Sequence, residues 1–460
     1  MTPLKDDFKE MLSRLLGGEG AERLCAALNE EPTVGVRLNP RKIASLPEEF
    51  AGASEVPWCK GTGYRLSERP QFTLMPLWHG GAFYVQEPAS MVMSEVARYV
   101  AEVLDTEGVR WLDLCAAPGG KTTAALAALT DDALVVANEF DPRRASVLAE
   151  NVAKWGAPNV VLTRGDTAWV RKMPEAFHVV AVDAPCSGEG MMRKEEIARE
   201  QWSERLIDQC ASLQREILDN AWESLMPGGY LIYSTCTFNG KENEQQVRYL
   251  MEEYGAENIT LPSFGAAESL DREVKGVRFM PHITDSEGLF MALLRKPGDL
   301  NGDRRKKKVE RKKKGKSIEL PWLSQPETFE FEKEADGVIT AYPKRHADLV
   351  REIKRVCPSI VSTGVKVACE KGRDLVPAPE LALCSALNRE AFPEVELTRE
   401  EALDYLRRGT EGTLKAIERS EKAARGYMLA TYRGVPLGFV KYLGNRINNL
   451  YPAQWRLRIN

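Results

Sequence analysis

The sequence contains no apolar run approaching the roughly 18 residues that a membrane-spanning helix needs. The segment Met1–Leu16 is charged and amphipathic and has no signal-peptide core, so we expect a cytoplasmic protein without a membrane partner. None of the nine cysteines is spaced Cys-x-x-Cys, which argues against a zinc finger and against a disulfide framework. The histidines are few and scattered, which predicts neither a metal site nor a histidine-based triad. They are His79, His178, His282 and His346.

Acidic and basic residues nearly balance, with a net charge of −4, so a nucleic-acid function can rest only on local charge. Local charge is very uneven. The segment Arg304–Lys316 carries ten basic residues and one acidic residue, Glu310. Turn-forming residues precede it, which predicts a linker between domains. Two interpretations stay open: a solvated linker, or a linker that also binds phosphates.

A second basic segment lies at the far end of the sequence, where Lys422–Asn460 has no Asp or Glu. Alternating β-type residues and glycine-containing turns predict a small β-rich module there. Its cations and rings suit single-stranded RNA, and because rings in small β modules usually form the core, we favour the cations as contacts. The cations are Lys422, Arg425, Arg433, Lys441, Arg446, Arg456 and Arg458, and the rings are Tyr427, Tyr432, Phe439, Tyr442, Tyr451 and Trp455.

A chain of 460 residues is too long for one hydrophobic core, so several domains are expected. We predict a small α+β domain over residues 1–82, with helices at Lys5–Leu16 and Glu19–Leu28. Its basic turn, Arg37–Lys42, is interpreted as solvated surface. The remaining predicted ranges are an α/β domain at 83–298, the basic linker at 299–320, a first C-terminal domain at 321–395 and the β-rich module at 396–460.

Apolar runs and helix-forming segments alternate through the predicted α/β domain. This alternation predicts a Rossmann-like parallel sheet with right-handed crossovers. The predicted strands are Val109–Leu114, Leu134–Asn138, Asn159–Arg164, His178–Val182 and Tyr230–Ser234, with a late strand at Gly288–Arg295. The predicted helices between them include Asp141–Trp155, Glu204–Leu225 and Lys241–Glu253.

Acids and thiols follow five of these predicted strands in turn. Ligands of an open α/β sheet bind outside the carboxyl ends of its strands, so these side chains are candidates for one site. A carboxylate after the second strand suits the two hydroxyls of a ribose. The side chains are Asp113 with the glycine-rich turn that follows it, Glu139, Asp166, Asp183 with Cys186, and Cys236.

The glycine-rich turn Cys115–Lys121 narrows the choice of cofactor. A P-loop needs Gly-x-x-x-x-Gly-Lys-Thr, and Gly120-Lys-Thr122 matches its end, but Cys115 stands where the first glycine is required. The dinucleotide pattern Gly-x-Gly-x-x-Gly also fails. A ligand with a ribose and a charged tail but without phosphates fits better, which indicates S-adenosylmethionine.

Three motifs resemble, in order and spacing, those of the RNA cytosine-5 methyltransferases. They are Asp113-Leu-Cys-Ala-Ala-Pro-Gly-Gly-Lys-Thr122, Asp183-Ala-Pro-Cys-Ser-Gly188 and Ser234-Thr-Cys-Thr237. The loop Gly188–Lys194 is similar to that of the branch that modifies bacterial 16S rRNA, although Met192 stands where phenylalanine is usual. The resemblance implies an S-adenosylmethionine-dependent methyltransferase fold with an N-terminal RNA-binding domain and a C-terminal PUA-like module.

The resemblance also implies a role for each side chain of the site. Glu139 would bind the ribose, Asp166 the adenine amino group, and Asp183 either the cytosine edge or the region of the sulfonium. Lys194 would contact a substrate phosphate or be solvated. The methionine end would lie on the turn made by Cys115, Ala116, Ala117, Pro118, Gly119, Gly120 and Lys121, with Arg144 as a weaker contact.

Cytosine C5 is a poor nucleophile, so a thiolate must add to C6 before C5 can accept a methyl group. Two cysteines compete for this role. The DNA enzymes use the cysteine that follows proline, here Cys186, whereas the RNA family uses the Thr-Cys cysteine, here Cys236, and employs Cys186 in product release. We choose Cys236 as the nucleophile, with Cys186 and Asp183 as its catalytic partners.

The target base must leave its stack to reach both thiols, so we expect a cytidine in a loop or a single strand. The resemblance implies 16S rRNA as the substrate, either free or within the 30S subunit, and we expect a monomeric enzyme. Three alternatives stay open: a DNA cytosine-5 methyltransferase, a tRNA cytosine-5 methyltransferase and a non-catalytic, RNA-binding ribosome assembly factor.

Overall fold

The computed structural model describes residues 2–300, 320–421 and 423–458. Two features predicted from charge, the linker segment Arg304–Lys316 and the side chain of Lys422, lie outside these residues. Across the described ranges the strands form one large central sheet, a smaller sheet before it in sequence and two smaller sheets after it. No helix in these ranges has both the length and the apolar character that crossing a membrane requires.

Short antiparallel strands and one long helix dominate the N-terminal part. Its elements are α1 (Asp6–Ala27), β1 (Val34–Leu38), β2 (Ser54–Glu55), β3 (Gly63–Leu66), α2 (Pro76–His79) and β4 (Phe83–Val85). The strands lie in the order β2-β3-β1-β4. The two helices predicted at its start, Lys5–Leu16 and Glu19–Leu28, are confirmed: α1 consists of two helical segments joined by a kink at Gly17, where φ is 74°. A glycine adopts this left-handed conformation without the steric cost that a side chain would add.

Strands and helices alternate through the central part. Its elements are α3 (Met93–Leu104), β5 (Arg110–Asp113), α4 (Gly120–Ala128), β6 (Leu134–Glu139), α5 (Pro142–Trp155), β7 (Val160–Arg164), β8 (Phe177–Asp183), α6 (Glu196–Gln201), α7 (Glu204–Ser224), β9 (Leu225–Thr235), α8 (Glu244–Tyr254), β10 (Glu257–Ile259), β11 (Ala267–Glu268), β12 (Val277–Phe279) and β13 (Leu289–Arg295). The neighbouring strands in the order β7-β6-β5-β8-β9 are all parallel. The predicted Rossmann-like fold class is therefore confirmed.

Two smaller sheets belong to the C-terminal part. Its elements are β14 (Phe329–Lys333), β15 (Val338–Pro343), α9 (Ala347–Val356), β16 (Ile360–Thr363), β17 (Val365–Lys371), β18 (Asp374–Pro377), α10 (Pro379–Leu383), β19 (Glu394–Glu396), α11 (Arg399–Leu406), α12 (Glu411–Arg419), β20 (Gly426–Tyr432), β21 (Val435–Tyr442) and β22 (Ile447–Asn449). One sheet has the order β14-β15-β17-β18 and the other β19-β20-β21-β22. The strand β16 joins neither, because it pairs with the central sheet.

The prediction that the central sheet is parallel throughout is wrong at both edges. On one side β13 pairs antiparallel with β9, and β10 and β12 pair antiparallel with β13. Helix α8 carries the chain from β9 to β10, which runs parallel to β9. From β10 the chain returns to β13 through β11 and β12 without a helix, and a connection without a helical crossover permits the antiparallel direction. On the other side β16 pairs antiparallel with β7. Residues from the C-terminal part thus complete the central sheet.

The N-terminal sheet and the last β-rich module pack together in one hydrophobic cluster. Phe83 lies on one side of this contact and Leu437 on the other. His79 Nδ1 is 3.2 Å from the Tyr451 hydroxyl across it. The rings Tyr432, Phe439, Tyr451 and Trp455 are buried, whereas the cations Arg446, Arg456 and Arg458 are exposed. This division agrees with the choice of cations over rings as surface contacts.

The interpretation of Arg37–Lys42 as solvated surface is wrong for Arg37. This residue is only 1% exposed, and its guanidinium donates to Gln86 Oε1 and to Thr123 Oγ1, both at 2.7 Å. The guanidinium also lies 4.6 Å from the ring centroid of Trp155. Burial lowers the pKa of Arg37 to about 10, so the side chain keeps its charge at neutral pH. Arg37 therefore ties the N-terminal sheet to helix α4.

The same interpretation is also wrong for Lys42, whose Nζ donates to the carbonyl oxygens of Gly80 (2.7 Å) and Lys154 (2.6 Å). Burial lowers the pKa of Lys42 to about 7. A basic turn in the sequence does not reveal the carbonyl groups that another element brings to it. Tertiary packing converts these cations from surface groups into structural ones.

Arg37→Ala should lower the free energy of unfolding by about 2–3 kcal/mol, because hydrogen bonds to a charged group contribute about 1.5–3 kcal/mol and their buried acceptors would lose a partner. Urea unfolding followed by circular dichroism measures the change. The control is Arg14→Ala, which removes an exposed ion pair with Glu10 and should change the free energy by less than about 1 kcal/mol. An Arg37→Ala protein as stable as the wild type would contradict the role given to Arg37.

Candidate active site

The turn after β5 forms one wall of the site. β5 ends at Asp113, which is buried and accepts a hydrogen bond from Thr122 Oγ1 at 2.7 Å. Burial raises the pKa of Asp113 to about 7, and the hydrogen bond from Thr122 offsets part of the effect. Gly119 has a φ of 106° and directly precedes α4, and a Cβ atom there would lie 3.1 Å from Leu148 Cδ1. The first backbone amides of α4 therefore lie beside the carboxyl ends of the strands.

Side chains from neighbouring elements hold this turn by its carbonyl oxygens. Arg144 Nη2 donates to the oxygen of Ala117 at 2.8 Å. Asn151 Nδ2 donates to the oxygen of Pro118 at 2.8 Å. Burial raises the pKa of the Cys115 thiol well above its ordinary value, so Cys115 remains a neutral, packed residue of the turn. The predicted cofactor turn is thus a fixed element of the fold.

Glu139 ends β6 and offers a buried acceptor. Its Oε1 accepts a hydrogen bond from the amide of Asp141 at 3.0 Å. Its Oε2 accepts no hydrogen bond from the described residues, and Arg144 Nη2 lies 3.6 Å away. A buried carboxylate oxygen without a donor is costly unless a ligand completes it. Asp166 lies nearby at the end of β7, exposed, with Oδ1 accepting from the amide of Ala168 at 2.8 Å.

An ion pair links the predicted cofactor turn to β8, the strand that pairs with β5 in the sheet. Lys121 Nζ lies 2.8 Å from Asp183 Oδ2, and Ser234 Oγ donates to Asp183 Oδ1 at 2.9 Å. Burial is the largest single effect and would lower the pKa of Lys121, but the charge and the hydrogen bond of Asp183, with smaller contributions from Cys236 and Glu87, together raise it, so the lysine is charged. The side chain of Asp183 remains 33% exposed. The carboxylate can therefore meet a ligand as well as its two partners.

The two predicted cysteines lie side by side. Cys186 Sγ is 3.3 Å from Cys236 Sγ. The hydrogen bond with Cys236 and burial raise the pKa of the Cys186 thiol well above its ordinary value. The charge of Lys121 lies within electrostatic range of Cys236. Two thiols, a carboxylate and an ammonium group thus meet at the ends of β8 and β9.

Lys194 lies apart from this group, on the loop that continues from Cys186. It is exposed and lines a cavity of about 740 Å³ together with Arg65 and Arg69 of the N-terminal part. Glu31 and Glu68 line the same cavity. Its surroundings are therefore of mixed charge.

Sequence reasoning missed three carboxylates around the site. Glu87 accepts hydrogen bonds from the amides of Ala89 (2.8 Å) and Glu287 (2.9 Å) and contributes to the raised pKa of Lys121. Glu189 and Glu242 are fully buried between the loops that carry the two cysteines. The sequence carried only a weak signal of them, because a glutamate beside a motif is usually a solvated residue.

The described residues contain no group of three or more His, Cys, Asp or Glu side chains that could hold a metal ion. His79 Nε2 lies 2.9 Å from the carbonyl of Thr73, and His346 Nε2 lies 2.7 Å from that of Asp132. Burial lowers the pKa of each histidine to about 4. Both histidines therefore serve packing.

Family models match three successive parts of the chain. The model described as the N-terminal domain of 16S rRNA methyltransferase RsmF matches residues 4–88. The model of 16S rRNA methyltransferase RsmB/F matches residues 101–295, and the model of the methyltransferase RsmF PUA domain matches residues 392–457.

Curated relatives are similar over most of their length. Ribosomal RNA small subunit methyltransferase F of Aliivibrio fischeri (strain MJ11) is 32% identical over 427 residues, which cover 87% of this chain and 85% of that protein. The protein of the same name from Klebsiella pneumoniae (strain 342) is 32% identical over 450 residues, which cover 91% and 89%.

Solved structures share the fold. A methyltransferase homolog protein from Pyrococcus horikoshii is 27% identical, with a TM-score of 0.54 over 64% of this chain and 100% of that one. The structure of NSun6 from Pyrococcus horikoshii with SFG is 21% identical, with a TM-score of 0.54 over 65% and 99%. These comparisons confirm the resemblance found in the motifs, and the chain belongs to the 16S rRNA methyltransferase RsmB/F family.

Proposed function

We propose that this protein transfers a methyl group from S-adenosylmethionine to C5 of a cytidine in 16S rRNA, through a transient bond between Cys236 and C6 of the base. The observation that carries the proposal is the pair of thiols, 3.3 Å apart, next to the Lys121–Asp183 ion pair. One thiol suffices as the nucleophile that attacks C6. Removal of the C5 proton, which releases the product, calls for a second group that can act as a base, and a second thiol can fill this role.

The residues at the carboxyl ends of β5, β6 and β7 fit S-adenosylmethionine. The buried Glu139 Oε2, which lacks a donor among the described residues, would accept from the ribose hydroxyls, and Asp166 would accept from the adenine amino group. The turn Cys115–Lys121 would hold the methionine end, with Arg144 fixing the turn from behind. When bound, this cofactor supplies an electrophilic methyl group.

Cys236 makes the base reactive. The Cys236 thiolate forms a bond to C6, and the electrons of the C5–C6 double bond move toward C5. C5 would then bond to the methyl carbon while the bond between that carbon and the sulfonium breaks, its electron pair staying on the sulfur. Asp183 holds the cytosine edge while Lys121 and Ser234 hold Asp183 in place at 2.8 and 2.9 Å. A fixed carboxylate at this position orients the ring over the nucleophile.

Cys186 releases the product. Once Cys236 is bonded to carbon, its sulfur no longer carries the charge that opposes ionisation of Cys186. Cys186 gives its proton to water, and its thiolate then accepts the C5 proton. The C–H electrons restore the C5–C6 double bond, and the C6–S bond breaks to return Cys236 as a thiolate. Burial also raises the pKa of Cys186, and this effect persists in the adduct, which makes the Cys186 thiolate a strong base.

The RNA would be gripped by the N-terminal domain, predicted over residues 1–82, and by the module predicted over 396–460. The exposed cations Arg446, Arg456 and Arg458 of that module suit phosphates. Lys194 would contact the backbone close to the target base. The names of the relatives support small-subunit rRNA over tRNA or DNA as the substrate.

Glu139→Gln should weaken S-adenosylmethionine binding about tenfold or more, because a hydrogen bond to a charged acceptor contributes about 1.5–3 kcal/mol. Isothermal titration calorimetry measures the dissociation constant. Glu102→Gln, at an exposed position on α3, is the control and should leave the constant unchanged. Equal affinities of the Glu139→Gln and wild-type proteins would contradict the ribose contact.

Cys236→Ala should abolish transfer of a radiolabelled methyl group to undermethylated 30S subunits or to 16S rRNA, because C6 then has no nucleophile. Scintillation counting and mapping of the labelled base measure the result. Cys369→Ala, a half-buried cysteine of β17, is the control and should retain full activity. Residual activity in Cys236→Ala together with none in Cys186→Ala would instead favour the nucleophile used by the DNA enzymes.

Cys186→Ala should accumulate a protein–RNA adduct that survives denaturant, because methylation proceeds and release does not. A slowly migrating, radiolabelled band on a denaturing gel measures the adduct. The double variant Cys186→Ala/Cys236→Ala should give no band, since no bond to C6 can form. A Cys186→Ala protein that turns over without any adduct would remove the release role from Cys186.

A further inference from the structure

The two reactive cysteines lie on separate loops. Residues 184–190 follow β8 and carry Cys186, and residues 236–243 follow β9 and carry Cys236. Irregular loops are ordinarily mobile, yet the proposed chemistry needs two sulfur atoms at a fixed separation. Something other than the sheet must therefore hold the loops together.

Glu242 of the second loop binds the first loop. Its carboxylate accepts hydrogen bonds from the backbone amide of Ser187 (2.9 Å) and from the Ser187 hydroxyl. It also accepts from Gln214 Nε2 (2.9 Å) and Asn239 Nδ2 (2.7 Å). Ser187 directly follows Cys186, so this carboxylate fixes the backbone beside that thiol.

Glu189 of the first loop binds the second loop in return. Its Oε2 accepts from the backbone amides of Phe238 (2.6 Å) and Asn239 (3.0 Å). Its Oε1 accepts from Trp202 Nε1 and from Asn239 Nδ2, each at 3.0 Å. The side-chain amide of Asn239 thus donates to both carboxylates, that of Glu189 and that of Glu242. The backbone amide of Gly190 adds a direct contact, donating to the carbonyl of Cys236 at 2.8 Å.

Both carboxylates are fully buried, and within the described residues neither forms an ion pair. A buried carboxylate without a cation is expensive even when donors surround it, and apolar residues would often stabilise a core as well. Each glutamate instead accepts hydrogen bonds from four donors. Two of the donors to Glu242 and three of the donors to Glu189 belong to the opposite loop. The two carboxylates therefore fix the relative position of the loops, and they contribute little to the free energy of unfolding.

We infer that Glu189 and Glu242 are positioning residues that clamp the two loops to each other and so set the separation of Cys186 and Cys236. The expected effect on the rate of methyl transfer rests on the proposed function. The expected effect on the separation of the two thiols rests on the hydrogen bonds alone. A misplacement of about 1 Å at a reacting centre can cost about 100-fold in rate. Loosening either half of the clamp should therefore slow methyl transfer without weakening cofactor binding.

The catalytic test compares Glu242→Gln and Glu189→Gln with the wild type. Each glutamine places an N–H group against donors that need an acceptor, so the loops separate while size is conserved. We expect the kcat for methylation of 30S subunits to fall about 100-fold, with KM for S-adenosylmethionine unchanged within about twofold. The matched control is Glu401→Gln: the Glu401 side chain is only 12% exposed and its carboxylate accepts from the Thr398 amide and from Arg419, but it lies on α11 and on neither cysteine loop.

A second measurement needs neither RNA nor methyl transfer. Iodoacetamide alkylation of Cys186, followed by mass spectrometry across pH, reports access to the thiol and its ionisation. Both clamp variants should be alkylated about tenfold faster at pH 8, because the contact with Cys236 that raises the pKa of Cys186 is weakened. Glu189→Gln leaves the negative charge of Glu242, which also raises the pKa of Cys186, in place. Faster alkylation of this variant would therefore report a change in the position of the loops and not the loss of that charge. Glu401→Gln should behave as the wild type.

The results discriminate among the outcomes. Clamp variants that match the wild type in both kcat and alkylation overturn the inference. If the wild type methylates no RNA but the alkylation differences are found, the proposed function fails and the clamp stands. If either clamp variant does not fold, Ser187→Ala removes one hydroxyl donor only; about threefold faster alkylation than in the wild type supports the clamp, and an unchanged rate overturns it.

Discussion

The parallel pairing of β8 with β9 places Asp183 and the two candidate catalytic cysteines. In its register Asp183 stands opposite Ser234, so the segments that follow both strands leave the sheet at the same edge. Cys186 and Cys236 come shortly after these two positions, and their thiols meet at 3.3 Å. Because side chains alternate between the faces of a sheet, a slip of one residue would also break the contact of Asp183 with Ser234. The register of one strand pair therefore supports both the ion pair and the thiol pair.

The parts of the chain outside the central sheet are joined to it by buried contacts. Arg37 joins the N-terminal sheet to helix α4, whose first two residues, Gly120 and Lys121, end the predicted cofactor turn. The strand β16 extends the central sheet from the C-terminal part, and one hydrophobic cluster joins the N-terminal sheet to the last module. Regions far apart in sequence thus share cores. The contacts of Arg37 and of β16 therefore fix the N-terminal and C-terminal parts against the sheet that carries the two cysteines.

The sequence allowed the parallel strands and their terminal side chains to be predicted because each depends on local pattern. Buried parallel strands are continuous apolar runs, and the side chain after each run falls at the carboxyl edge of the sheet. The antiparallel edges had no such signal, since direction depends on the path that the chain takes between strands. Arg37 and Lys42 were misjudged for a related reason: a charged residue is usually exposed, and only the packing of another element makes it a buried donor.

The amino-acid sequence by itself determined the Rossmann-like order of elements, and it singled out the candidate cofactor turn Cys115–Lys121 and the two candidate cysteines, because apolar periodicity and compact motifs are local properties. Tertiary structure alone decided which groups touch. It paired Lys121 with Asp183, brought the thiols together and buried Glu189 and Glu242 between the loops. Such contacts join residues about 50 positions apart, and their free energy depends on burial and on distances that no linear pattern contains.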